Sequence, residues 1–322
     1  MSVISRHPAY SFFVFVVLGL TFYLLGPYQP SAVPYTTGRA WPAHDLPGRL
    51  ERSEHIYQKL LKDRQGLIKK WGPTVKDIQL FPPNVSPWPA YTVWDFFPAA
   101  YNCPHEIQRL GALGDGGKWV CGLSRVEHKP DCIVYSFGIN YESSFEAEIL
   151  ANTQECQIWG YDFSVKSFGP QISSTQASRT HFKPYGLAGK DSHGPEDEHK
   201  MYTLESLMKL NGHTHIDILK IDIERWEFET LTALLKPYLA SGRPLPFGQL
   251  QLEVHIWNMN FEEYLAWWEM LEAAGLRPFW TEPNLVYQNY NVGGSTDLAE
   301  YSFLNIKGSN AFIKDASSHH HD

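Results

Sequence analysis

The sequence predicts an α/β domain built on a mostly parallel seven-stranded sheet with helices on both faces. Two observations carry that expectation. From Cys132 onward, short apolar runs rich in β-branched and aromatic residues alternate with segments whose apolar residues recur every three to four positions. This is the pattern of strands and helices exchanged around a parallel sheet. Near the end, two strand-like runs follow one another with no helix between them, which predicts an antiparallel hairpin at the sheet edge.

Taken in order, residues 133–137 (IVYSF) read as the first buried strand and are followed by a helix around 144–151. Residues 157–161 (QIWGY) form the second strand and 182–187 the third. A helix over 204–210 leads to the fourth strand at 216–221, and a helix over 228–239 leads to the fifth at 250–254. A last helix spans 261–274, and strands six and seven lie at 278–281 and 302–306. Upstream, Gly114 to Cys121 reads as a turn running into a strand.

Residues 9–27 read as a transmembrane signal anchor. Ala9 to Gly26 carries no charge, and its length suits the roughly 20 apolar residues that cross a bilayer. Arg6 precedes it and no Lys or Arg follows until Arg39. The positive-inside rule therefore leaves residues 1–8 cytoplasmic and the rest lumenal, the topology of a single-pass type II protein of the Golgi or endoplasmic reticulum. A cleaved signal peptide is the alternative, and it delivers the domain to the same pathway. Residues 28–75 read as a stem, with Pro and Gly over 28–48 and a helix from Pro47 to Trp71 ended by Gly72-Pro73. The helix is a stem element or a packing arm; its Arg52, Lys59, Lys62, Arg64, Lys69 and Lys70 read as a solvated face. Residues 76–314 then hold the main domain, wrapped by the Pro- and aromatic-rich stretch 78–100, and 315–322 form a disordered tail.

Smaller features agree with an oxidising lumen. Asn84-Val85-Ser86 is a glycosylation triplet. Cys103, Cys121, Cys132 and Cys156 are an even set that suggests two disulfides, with no CxxC spacing to suggest zinc. A net charge of −8 argues against nucleic acid as a partner. Eleven Trp and 17 Tyr exceed what a core needs, so some are expected to line a cleft.

Ligands of such sheets sit beyond the carboxyl ends of the strands. The first strand runs into Ser136-Phe137-Gly138-Ile139-Asn140, where Gly138 permits a tight turn, and Ser143 or Ser144 is available to cap the next helix. The second ends in Tyr161-Asp162-Phe163, and a carboxylate there can accept both ribose hydroxyl protons of an adenosine. Ser136, Gly138, Asn140, Asp162 and Phe163 are accordingly the cofactor-binding candidates. Gly116 and Gly117 join them if their turn approaches the cofactor rather than forming a plain hairpin. The fourth strand ends in LKIDIERWE, setting Asp222 and Glu224 beside Lys220 and Arg225. Half-buried carboxylates are costly unless paired, so this is either a site or a salt-bridged helix start. On the fifth strand, alternation puts Glu253 and His255 on one face. Asp222, Glu224 and His255 are the catalytic candidates. With Glu253 they form a set suited to a general base or a divalent cation, although no spacing calls for a metal.

The ordered motifs CPHEIQRLG, GDGGKWVC, VYSFGINYESSFEAEIL, IWGYDFS, PYGLAG, DILKIDIERWEFETL and LQLEVHIW resemble the methyltransferase-like proteins of the eukaryotic secretory pathway. These are in turn similar to FkbM-type methyltransferases. The resemblance covers about residues 95–310. It implies a Rossmann-like class I methyltransferase fold and S-adenosylmethionine as methyl donor. Lys220, Ile221, Asp222, Glu224 and Glu227 match the family pattern KIDxEGxE, with Arg225 in place of its Gly and Asn140 where a Gly is common. Together with a lumenal location, it implies O-methylation of a glycan, glycoprotein or small-molecule acceptor, with His255 or Asp222 as base. Two other readings stay open: a metal-dependent Golgi-type glycosyltransferase holding its metal on Asp222-Ile223-Glu224, and a binding protein that keeps the fold without catalysis.

Overall fold

The first elements of the protein serve the later ones. In the structure, a computed structural model, residues 45–83, 86–87, 89–290 and 295–315 are described. The expected membrane span, the glycosylation site Asn84 and the tail beyond 315 lie outside the described residues. Among the described residues no helix is long and apolar enough to cross a membrane. Leu46–Asp322 form one compact unit, which holds the sheet and the candidate site.

Helix α1 spans Leu46–Trp71. A hairpin of β1 (Ile107–Leu110) and β2 (Lys118–Cys121) comes after it. Next come β3 (Ile133–Phe137), α2 (Ser144–Asn152), β4 (Gln157–Tyr161), β5 (Thr180–Lys183), β6 (Gly186–Leu187), β7 (Met201–Tyr202), α3 (Leu204–Asn211) and β8 (Ile216–Ile221). The chain continues through α4 (Glu227–Ser241), β9 (Phe247–His255), α5 (Phe261–Ala274), β10 (Leu276–Pro283), α6 (Leu285–Tyr290) and β11 (Leu298–Asn305).

Seven strands make the central sheet in the order β10-β11-β9-β8-β3-β4-β5. The β3–β4, β4–β5, β3–β8 and β8–β9 pairs are parallel, whereas β11 runs antiparallel to both β9 and β10. The two final strands do form an antiparallel pair, but the chain's last strand inserts inside the sheet and leaves β10 at the edge. Burial accounts for this: every residue of β9 and β11 is buried, so each needs a neighbour on both sides. A short helix, α6, also lies between the pair where none was expected. The expected third strand is broken as well. Pro184 cannot extend a ladder, so β5 stops at Lys183, and Gly186–Leu187 pair instead with β7 in a separate two-stranded sheet.

One face of the sheet packs Leu207 of α3, Leu231 and Leu235 of α4, and Trp268 and Leu271 of α5 against Tyr135, Leu219, Leu250 and Phe303. The other packs Tyr57 of α1, Phe145 and Ile149 of α2 and Val120 of β2 against Val134, Ile158, Ile218 and Leu304. Strand β2 explains why β9 is buried despite alternating Gln249, Gln251, Glu253 and His255 with Leu250, Leu252 and Val254. The Gln249 amide accepts from the Cys121 N–H at 2.9 Å and donates to the Cys121 carbonyl at 2.6 Å, and Gln251 donates to the Trp119 carbonyl at 3.2 Å. The polar face of β9 is thus a hydrogen-bonded interior layer. All four cysteines are paired, Cys103 with Cys121 and Cys132 with Cys156, so the first bridge ties the chain before β1 to β2.

Helix α1 is a packing arm of the domain. The expectation of a solvated basic face fails at Arg64, which is buried. Its guanidinium forks onto both oxygens of Glu272 at 2.7 and 3.0 Å and donates to the Phe96 carbonyl at 2.7 Å. Arg277 likewise holds Glu54 of α1 at 2.8 and 2.9 Å. Bidentate geometry of this kind fixes orientation as well as charge. Helix α5 starts where its sequence says it should: Asn260 and Glu263 form a reciprocal capping box at 2.9 and 3.1 Å.

Candidate active site

Strands β3, β4 and β8 are neighbours, so their carboxyl ends open at one place. A cavity of about 800 Å³ lies there, within the range of small-molecule sites. Its wall includes Phe137, Gly138, Asn140, Tyr161, Asp162 and Phe163 from the ends of β3 and β4. Asp222, Glu224 and Trp226 contribute from the end of β8, and Glu253 from β9. Residues 186–201, which carry β6 and the start of β7, add Leu187, Lys190, His199 and Met201.

Gly138 and Asp162 meet, as the sequence led us to expect. Gly138 has φ of +79° and donates its N–H to the Tyr161 carbonyl at 3.1 Å. Beyond it, the N–H groups of Ile139 and Asn140 both donate to one Asp162 oxygen at 2.9 Å. The other oxygen accepts from the N–H and hydroxyl of Ser164, each at 2.7 Å. Four donors fill the carboxylate's four lone-pair positions. Asp162 therefore clasps the β3–α2 turn, and any ribose contact must take over the place of the Ser164 hydroxyl. Asn140, at φ +42°, sits in the left-handed region that asparagine tolerates. Phe137 and Tyr161 stack at 4.9 Å, and the exposed Phe163 ring lies 4.6 Å from His199 across the cavity wall.

Three of the cofactor-binding candidates lie elsewhere. Ser136 is fully buried and its hydroxyl donates to Glu146 inside the α2 packing. Gly116 and Gly117 are off the cavity wall. A Cβ at Gly116 would meet Glu142 at 2.5 Å, and one at Gly117 would meet the Arg109 guanidinium at 2.0 Å. Their glycines serve the β1–β2 turn, while the neighbouring Asp115 does reach the cavity. Ser143 stands at the N-cap of α2 but spends its hydroxyl on the Gly169 N–H at 2.9 Å.

Asp222 follows β8 and is held by main chain: its N–H donates to the Phe137 carbonyl at 3.2 Å, and Lys220 beneath it donates to the Gly138 carbonyl at 2.7 Å. Lys118 of β2, buried, contacts Glu300 directly and lies 3.6 Å from Asp222. Burial pushes the Asp222 carboxyl up, but Lys118 and Lys220 outweigh it and hold the group well below the carboxylate range. Its neighbours thus favour the charged form of Asp222. Glu253 is the opposite case. Burial and the adjacent Asp222 and Glu300 push it well above the carboxylate range, and it shares a hydrogen bond with Asp222. Lys118 itself is disfavoured as a cation by burial, yet Glu300 and Asp222 more than restore its charge.

His255 is buried and off the cavity wall. Its Nδ1 lies 3.1 Å from Glu227, which also accepts the His255 main-chain N–H at 2.8 Å. Burial lowers the imidazole pKa, but the Glu227 bond overrides it and the net shift is upward. Of the catalytic candidates, Asp222 and Glu224 thus face the cavity and His255 stands behind them. Glu227, Lys118 and Glu300 were missed as site residues. Glu227 carried a signal as the last acid of KIDxEGxE. Lys118 and Glu300 come from distant strands and gave none.

The turn after Asp222 is strained. Glu224 has φ of +54° and Arg225 of +79°, so the family's Gly at position 225 fits a conformation that an arginine adopts only at a cost. Arg225 is exposed, leaving little packing to lose on its removal. Arg225→Gly is therefore expected to raise stability by about 1 kcal/mol in urea denaturation, despite the greater freedom of an unfolded glycine. A loss of stability would show that the Arg225 side chain contributes more than the strain costs.

The cavity is acidic. Asp115, Asp162, Asp197, Glu198, Asp222, Glu224, Glu229 and Glu253 line it, against Lys190 as the lysine on the wall among the described residues.

Comparison with known proteins supplies the family. A profile described as a methyltransferase domain matches residues 78–294. A curated relative, the probable methyltransferase-like protein 24 of Rattus norvegicus, is 27% identical over 145 residues, 44% of this chain. The match spans 38% of that relative's length. Among solved structures, the fibrillarin pre-rRNA processing protein of Methanococcus jannaschii is similar at 9% identity and a TM-score of 0.33, covering 62% of this chain and 98% of that one. The methyltransferase FkbM of Methylobacillus flagellatus is similar at 13% identity and a TM-score of 0.30, covering 54% and 44%.

Proposed function

The chain belongs to the methyltransferase domain family, and from that premise we propose that it moves a methyl group from S-adenosylmethionine to an oxygen of a glycan or glycoprotein in the secretory pathway. The observation that carries the reading is the acidic cavity at the carboxyl ends of β3, β4 and β8. S-adenosylmethionine supplies, when bound, an electrophilic methyl on a positively charged sulfur. Carboxylates on the wall favour that cation and an ammonium group, and the volume admits donor and acceptor together. The same wall opposes a nucleotide sugar, because the N–H groups of Ile139 and Asn140 that could cradle a diphosphate are already committed to Asp162. That observation speaks against the glycosyltransferase reading.

Asp162 fixes the turn that walls the adenosine end, and Phe163 and His199 offer ring faces beside it. Glu224, exposed at the mouth of the cavity, is the carboxylate placed to receive the acceptor's proton. With the donor bound, Glu224 would receive the proton that the acceptor hydroxyl gives up on methylation. The protein's contribution is alignment and exclusion of water. Lumenal placement rests on the two disulfides, which persist in oxidising compartments, and on the apolar run over 9–26.

Calorimetric titration of the full chain with S-adenosylmethionine and S-adenosylhomocysteine tests the reading. Micromolar binding of both is expected, weakened at least tenfold by Asp162→Asn, which unfastens the turn. Absence of binding to either compound by the folded wild-type protein sinks the proposal.

A further inference from the structure

Two of the wall carboxylates, with a histidine behind them, form a cluster of their own. Asp222, Glu253 and His255 each offer a ligand atom, and these three atoms lie within 4.8 Å of one another. We propose that they bind a divalent cation of the manganese type at the floor of the cavity, where it meets the acceptor.

Three observations support the site. The first is the imidazole. His255 is 2% exposed. Its Nδ1 is engaged by Glu227, and its Nε2 faces the cluster, 3.9 Å from a Glu253 oxygen and without a hydrogen bond among the described residues. A carboxylate behind an imidazole is how a metal-binding histidine is oriented and its tautomer fixed. The second is charge. Lys118 contacts both Glu300 and Asp222, so one buried ammonium group serves two carboxylates. Glu253 brings a third carboxyl group into the same space. Register deepens the problem, because Glu253 stands directly opposite Glu300 on the neighbouring strand, an arrangement of like charges that destabilises a sheet. The third is an orphan: the second Glu300 oxygen is buried with no partner, so one lysine does not satisfy this cluster.

Geometry is compatible. Ligand bonds of about 2.2 Å place neighbouring ligands of one ion about 3–4 Å apart, so a contraction of about 1 Å closes the set. Two carboxylates and one imidazole suit manganese, iron or zinc better than calcium. Asp222 and Glu253 also line the cavity, which leaves coordination positions open toward the acceptor. An acceptor hydroxyl bound there becomes more acidic and is fixed in line with the methyl group. This use rests on the proposed methyl transfer; the binding of the ion does not.

The test is titration of full-length, chelator-stripped protein with Mn²⁺, following loss of the free-ion electron paramagnetic resonance signal. One equivalent bound with micromolar affinity is expected. Glu253→Gln and His255→Gln should each weaken it at least tenfold, while Glu229→Gln, a wall carboxylate outside the trio, should leave it unchanged. Circular dichroism establishes that each variant is folded, and Asp222→Asn replaces any that is not. Mn²⁺ should also raise the wild-type melting temperature but not that of the His255 variant. Absence of saturable binding overturns the site. So does equal affinity in wild type and the trio variants, which would assign the ion to scattered surface carboxylates. No methyl donor is present in the titration, so its failure is separable from failure of the donor-binding experiment.

Discussion

Gly138→Ala should destabilise the domain by about 4 kcal/mol or more, placing it among the most damaging single substitutions available. Two effects add. The residue has φ of +79°, and an L side chain there costs roughly 1–2 kcal/mol. Steric contact costs more: a Cβ at this position would lie 1.8 Å from the Asp222 carbonyl oxygen. That oxygen cannot retreat easily. The Asp222 N–H is bonded to the Phe137 carbonyl, the Gly138 N–H to the Tyr161 carbonyl, and the Gly138 carbonyl to Lys220. Relief therefore separates β3 from β8 in the middle of the sheet. Gly212 is the control, with φ of +74° but nothing within 4 Å of its would-be Cβ. Gly212→Ala should cost only the backbone strain, about 1 kcal/mol. Equal urea midpoints for the two variants would show that the contact at Gly138 relaxes at no cost, and that the glycine is there for its φ alone.

The contrast between these two glycines also shows what was legible in the sequence. Gly138 was recognisable as a turn glycine and Asp162 as a strand-end carboxylate, because both follow strands whose apolar runs are unmistakable. What each does was hidden. The partner of Gly138 is the backbone of Asp222, which lies on another strand end far along the chain, and Asp162 spends its oxygens on main-chain donors that no side-chain pattern reveals. Strand positions were read well where burial makes runs continuous, as at 133–137, 157–161 and 216–221. They were read short on β9, whose Gln249, Gln251, Glu253 and His255 look solvent-facing until β2 is seen to cover them. The same covering strand brings in Lys118. Polar layers between strands distant in the chain have no periodic signature, so the electrostatic half of the site was not readable. Arg64 illustrates the point on α1: a lone buried arginine among exposed lysines has the same helical spacing as they do, and its partner Glu272 is set by packing.

Lys118→Met tests that unread half. Methionine matches the lysine stem in length and keeps the apolar contacts, so what is lost is the ammonium group. Glu300, Asp222 and Glu253 then share a buried space without the cation that compensates them. Removing one partner of a buried ion pair costs about 3–5 kcal/mol, because the remaining charge is stranded. A loss in that range is expected in urea denaturation. Replacing both partners separates this from packing. In Lys118→Met with Glu300→Gln, the stranded charge is gone and the neutral amide can still donate to a neighbouring carboxylate, so most of the stability should return. The coupling between the two positions, read from the double-mutant cycle, should exceed about 2 kcal/mol, far above the values of exposed ion pairs. Additive losses would instead mean that Lys118 acts through its stem and that the buried carboxylates find compensation elsewhere, with Lys220 the nearest source. Because Lys118 also holds Asp222 ionised, the double variant should restore the fold while leaving the cavity floor more easily protonated, separating stability from the charge state of the site.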